Sequence, residues 1–101
     1  MQDFLYRLQL VRKDLLQTGP TAAEQAVTAE HFAYLKDLHG KGVIIFVGRT
    51  LTTDADAMGL AVFRADSEDA AREIMNNDPA VKKGLMTATL YPFKIVLQGK
   101  N

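Results

Sequence analysis

TAAEQAVTAEHFAYLKDLHG, running from Thr21 to Gly40, predicts a helix with both ends marked. Thr21 and Glu24 form a Thr-x-x-Glu capping pattern just after Pro20, and Gly40 and Gly42 supply residues that stop a helix. At about 100° per residue, Ala23, Val27, His31, Tyr34 and Leu38 fall on one face, with Leu35 beside them. Glu24, Gln25, Thr28, Lys36 and His39 lie mostly towards the other side. His31 is thus a titratable ring in a stripe where Leu or Val is expected. It needs a buried hydrogen-bond partner or a task.

Strands are expected on either side of this helix. From Asp3 to Val11, Phe4, Tyr6, Leu8 and Leu10 share one wholly apolar face, while Leu5, Arg7, Gln9 and Val11 share a mixed one. That pattern suits a central strand whose second face is also covered. Residues 12–20 form a connector with room for a short helical turn. On the other side, Val43-Ile44-Ile45-Phe46-Val47 is an uninterrupted β-branched and aromatic run, expected to be buried on both faces or nearly so.

A second, similar unit follows. A polar loop, Gly48 to Asp56, leads into a strand from Ala57 to Arg64, and its length suits antiparallel pairing with the strand before it. Asp66-Ser67-Glu68-Asp69 is an acidic, cap-rich helix start, and Ala70, Ala71, Ile74 and Met75 form that helix's apolar side. It should end near Asn76-Asn77, because Asp78 precedes Pro79. After a short linker, Leu85 to Leu97 predicts a fourth strand in which Pro92 implies an edge or a bulge, and a polar tail runs from Gln98 to Asn101. Two strand-helix-strand units give the ferredoxin-like βαββαβ sandwich: an α+β fold with a four-stranded antiparallel sheet and both helices on one face. Two helices cover only one face, yet apolar residues emerge on both. The open face is therefore expected to pack against a second copy, as a homodimeric α/β barrel.

Composition narrows the rest. With 101 residues, 48% hydrophobic and 24% charged, the chain is expected to be one globular domain over residues 1–101. Lys plus Arg equals Asp plus Glu at 12 each, so no global field favours nucleic acid or an anionic membrane. No apolar run approaches the roughly 18 residues of a membrane span. Met1-Gln2-Asp3-Phe4 lacks the basic and apolar regions of a secretory signal, which makes the cytoplasm the expected compartment. The absence of cysteine excludes disulfides, thiolate nucleophiles and Cys-based metal sites. Asp54 and Asp56 lack the glycine and distal Glu of a calcium loop, and His31 and His39 have no paired carboxylate motif. No Gly-rich phosphate loop is present either, so neither a metal nor a cofactor is expected. Arg12-Lys13 and Lys82-Lys83 read as solvated surface.

The chemistry then rests on few residues. A lone His on an apolar face is commonly a core histidine bonded to a carbonyl or water. A functional histidine needs a partner that orients it, and Asp78 is the candidate. In this topology the two helices run parallel, with His31 about 15 Å beyond its cap at Thr21 and Asp78 about 16 Å beyond Ser67 at the helical rise. A carboxylate accepting from one ring nitrogen fixes the tautomer and strengthens the other nitrogen as a general base or acid. Alternatively, Asp78 simply ends a helix in an Asx turn within Asn-Asn-Asp-Pro. Arg7 interrupts the apolar sheet and Arg49 sits at a strand end; either could hold a substrate carboxylate or phenolate, and for Arg49 a surface ion pair is the simpler reading. Tyr34, one turn after His31, is a further candidate for substrate contact, though packing is the plainer expectation. His39, beside Gly40, reads as an exposed residue at a helix end.

Several stretches together resemble the YciI-like (YCII-related) family of small dimeric α/β-barrel proteins. They are Phe4-Leu5-Tyr6-Arg7-Leu8, His31-Phe32-Ala33-Tyr34-Leu35, Val47-Gly48-Arg49-Thr50, Asp78-Pro79-Ala80-Val81-Lys82-Lys83-Gly84 and Tyr91-Pro92-Phe93-Lys94-Ile95. Their order and spacing cover nearly the whole chain, from about Phe4 to Leu97. The resemblance implies that His31 and Asp78 form an active-site pair. A related branch that removes chloride from hydroxylated aromatic rings implies proton-transfer chemistry: elimination, dehydrochlorination or isomerisation of a small hydroxylated compound. The alternative is a non-catalytic module of the same fold that binds a small ligand or a protein partner.

Overall fold

In the computed structural model, which describes residues 1–99, the chain runs β1 (Gln2–Leu10), α1 (Leu15–Thr18), α2 (Ala22–Gly40), β2 (Ile44–Arg49), β3 (Gly59–Ala65), α3 (Glu68–Asn77), α4 (Pro79–Lys82) and β4 (Met86–Pro92). Of the expected polar tail, Lys100 and Asn101 lie outside the described residues. The four strands form one antiparallel sheet in the order β2-β3-β1-β4. This is the ferredoxin-like arrangement, with β1 central.

Local chemistry sets each boundary. The Thr21 hydroxyl accepts from the Glu24 backbone N–H, and the Glu24 carboxylate accepts from the Thr21 N–H, so the capping box is complete. Past the end of α2 the chain turns at Gly42, whose φ of +77° disfavours a side chain. Ser67 caps α3 through the Ala70 N–H. Gly84, at φ +78°, swings the chain from α4 into β4.

Strand pairing places residues in rows across the sheet. Facing the helices, one row reads Val47–Ala61–Tyr6–Leu90 and the next Arg49–Gly59–Leu8–Ala88. Phe4, Tyr6, Leu8, Ile44, Ala61 and Phe63 pack there against Leu35, Ala71 and Met75. On the opposite face the rows are Phe46–Val62–Leu5–Tyr91 and Gly48–Leu60–Arg7–Thr89.

Two expectations need correction. The Val43–Val47 run is not buried on both faces within one chain. It forms an edge strand with a register irregularity between Ile44 and Phe46; only Ile44 is buried, and Phe46 and Val47 are 47% and 44% exposed. The fourth strand ends at Pro92 rather than Leu97. Antiparallel to β1, its pairing stops where Pro92 meets Phe4, two residues short of the start of β1, and the Phe93 N–H makes the last bond, to the Asp3 carbonyl. Val96 and Leu97 are almost fully exposed.

Candidate active site

Asp78 stands where α3 stops and α4 begins. Its backbone N–H bonds the Met75 carbonyl, and its side chain caps α4 by accepting from the Ala80 N–H at 2.9 Å, ahead of Pro79 at the first helical position. The residue has no exposed surface, and it is the one fully buried charged side chain among the described residues. A carboxylate in that position has to be compensated by donors. It has three, because Nδ1 of His31 lies 2.6 Å from the same Oδ1, and the Tyr6 hydroxyl donates to Oδ2 at 2.8 Å.

His31 comes to the carboxylate from the middle of α2, inside the stripe that runs through Val27, Tyr34, Leu35 and Leu38. With an acceptor-only carboxylate opposite, Nδ1 carries the proton and Nε2 is left as the basic nitrogen. The side chain keeps 13% of its surface exposed. Among the described residues no group bonds Nε2, and the only buried side-chain nitrogen or oxygen without a partner is Arg7 Nε. Nε2 is therefore not sealed in the core. One face of the ring is anchored, and the other nitrogen is open to solvent.

Tyr34 follows one turn later. Its hydroxyl donates to the Ile74 carbonyl at 2.7 Å, tying α2 to α3. Burial, reinforced by the nearby Asp78 carboxylate, pushes its phenol up to about 12. The same two causes hold the Tyr6 phenol well above its ordinary value, so Tyr6 stays a hydrogen-bond donor across the working pH range.

The two arginines sit apart from the pair. Arg7 lies on the opposite sheet face, in the row between Leu60 and Thr89, with its Nε buried and unpartnered. Arg49 is exposed at the end of edge strand β2, paired with Gly59. Along α2, a cleft of about 300 Å³ is lined by the apolar Val11, Ala23, Val27 and Leu85 and by the charged Arg12, Glu24 and Lys83. Val27 precedes His31 by one turn on the same helical face, so the cleft begins one turn from the imidazole. Lys83 also reaches both Glu30 carboxylate oxygens, at 3.0 and 2.7 Å.

Tyr6 is not among the candidate residues that the sequence singles out. The available signal was a lone hydroxyl on the otherwise apolar face of Phe4, Leu8 and Leu10, since a buried tyrosine needs a partner for its O–H. The helix-capping and histidine-orienting readings of Asp78 are compatible, because one oxygen serves Ala80 and His31 together.

Comparison with known proteins identifies the family of the chain. No curated protein matches the chain by sequence. Among solved structures, the chain is similar to 5-chloro-2-hydroxyhydroquinone dehydrochlorinase (TftG) from Burkholderia phenoliruptrix AC1100, in complex with 2,5-dihydroxybenzoquinone. The two share 25% identity with a TM-score of 0.64, over 90% of this chain and 93% of that one. SnoaB, a cofactor-independent oxygenase from Streptomyces nogalater, matches at 15% identity and a TM-score of 0.48 over 97% of both chains. Residues 9–94 match the YCII-related domain. The chain belongs to the YCII-related family.

Proposed function

We propose that this protein is a small-molecule enzyme in which Nε2 of His31 moves a proton on a hydroxylated, electron-rich ring, with Asp78 holding the imidazole. The observation that carries the reading is the 2.6 Å contact between Nδ1 of a largely buried His31 and Oδ1 of a fully buried Asp78. A core histidine satisfied by a carbonyl would need no buried carboxylate, and a helix-ending aspartate would need no imidazole. Together they orient a base whose free nitrogen faces outward.

The similarity to a dehydrochlorinase supports elimination of hydrogen halide as the reaction class. In such a step one ring hydroxyl proton moves to the halogen-bearing carbon as the ring tautomerises. Nε2 then removes a second hydroxyl proton, that oxygen's electron pair becomes a carbonyl, and halide leaves with the carbon–halogen pair. The net loss is one proton and one halide, with no oxidant required. In this proposal the ring would enter the cleft beside Val27, whose volume is at the lower end of small-ligand sites.

The working form in this proposal is a homodimer closed through the open sheet face. The row Phe46–Val62–Leu5–Tyr91 crosses all four strands on the face away from the core cluster, with Val62 already buried within the chain and Phe46 and Tyr91 exposed at its two ends. Arg7 lies in the adjoining row, so any contact it makes with a ligand would be made from inside that interface.

Halide release from a panel of halogenated hydroxyhydroquinones tests the activity. The wild type should turn over at least one member, and His31→Ala should lose about 100-fold or more while remaining folded. Equal release by the two proteins would defeat the role of His31, and no release above background from any member would favour a non-catalytic binding module.

A further inference from the structure

We propose that Tyr6 is a positioning residue for His31, acting through the far oxygen of Asp78. The proposal rests on the reading of His31 as the proton-transfer group, but its geometry stands independently. A carboxylate can rotate about its terminal bond and present either oxygen to the imidazole. Here each oxygen is assigned: Oδ1 takes Nδ1 of His31 and the Ala80 N–H, and Oδ2 takes the Tyr6 hydroxyl at 2.8 Å. Without the tyrosine, Oδ2 would lie in a fully buried site with no donor, and the carboxylate plane would lose one of its three restraints.

The tyrosine is itself held rigidly. It sits on the central strand β1 with 1% of its surface exposed, opposite Ala61, whose small side chain leaves room for the ring. Phe63 meets that ring edge-on at 5.5 Å between centroids. The sheet thus sets Tyr6, Tyr6 sets Asp78, and Asp78 sets the imidazole on α2. This chain of contacts joins three elements that are far apart in sequence. It also makes the O–H donor compete with Nδ1–H for the same carboxylate charge, so Tyr6 tunes as well as orients.

That competition gives a signed test independent of turnover. In the full-length protein, Tyr6→Phe should leave Asp78 charge concentrated on Oδ1 and move the His31 Nδ1–H proton resonance downfield. Uniform fluorotyrosine labelling in a Tyr34→Phe, Tyr91→Phe background strengthens the Tyr6 donor and should move the same resonance upfield. Where a turnover substrate exists, Tyr6→Phe should lower kcat on the order of tenfold with KM little changed. A resonance that stays in place in both proteins overturns the proposal and leaves Tyr6 as packing alone. Should Tyr6→Phe fail to fold, the fluorotyrosine protein decides by itself. Absence of any turnover would count against the enzyme reading, while the resonance would still decide the positioning role.

Discussion

A carboxylate without solvent persists at position 78 because Tyr6, His31 and Ala80 each give it a hydrogen. Truncation would strand all three donors, so Asp78→Ala should cost about 3–5 kcal/mol of unfolding free energy in urea titrations. His31→Ala should cost less, because Asp78 keeps its other two donors. Tyr34 carries a pH signature at the same scale. Its phenol is raised from 10.0 to about 12, first by burial and then by the Asp78 carboxylate. The folded state therefore holds that proton more tightly than the unfolded chain does. The stability involved is fully present below pH 10 and is lost as pH rises towards 12. Tyr34→Phe should flatten that alkaline loss in circular dichroism titrations. The pairing of His31 with Asp78 could be read in the sequence, since a polar ring in an apolar stripe demands a partner and helix depth supplies a candidate. Tyr6 was harder to see, because a tyrosine among Phe4, Leu8 and Leu10 looks like any other core residue until its hydroxyl is traced.

Elements succeed or fail in the sequence according to whether their signals are local. The start of α2 is local. Thr21 and Glu24 close the capping box, and Arg12 grips both Glu24 oxygens, at 2.9 and 2.7 Å. Thr21→Ala should cost about 1 kcal/mol in thermal or urea unfolding. Glu24 is lowered from 4.5 to about 2, first by the Arg12 side chain and then by the Thr21 backbone N–H. A depressed value means that the pair's contribution is present above pH 4.5 and lost as pH falls towards 2. Glu24→Gln should remove that acid dependence from the unfolding midpoint. β4 fails for a non-local reason. Apart from Pro92 the stretch to Leu97 reads as a strand, but β1 begins at Gln2, and in the observed register the last residues before Leu97 have no β1 residue to face. Strand length depends on the partner, and the partner's end cannot be seen in the strand itself.

For the whole molecule, helices on one face leave Phe46, Leu5 and Tyr91 in an apolar row on the other. The Val43–Val47 run reads as doubly buried from its composition; within one chain Ile44 is buried, Val43 and Ile45 are half-buried, and Phe46 and Val47 are exposed. If a second copy supplies the rest, light scattering at micromolar concentration should give twice the chain mass, and Phe46→Lys should shift the protein towards monomer without unfolding it. A wild type that stays monomeric would remove the barrel while leaving the pair intact.

The most direct test of the pair itself is a double-mutant cycle on halide release with His31→Asn, Asp78→Asn and both together. If Asp78 works by holding His31, the double variant should be no slower than His31→Asn alone, because groups acting as a unit lose their effect together. Losses that multiply, each substitution slowing the reaction as much in the other's absence, would show two independent groups and contradict the account.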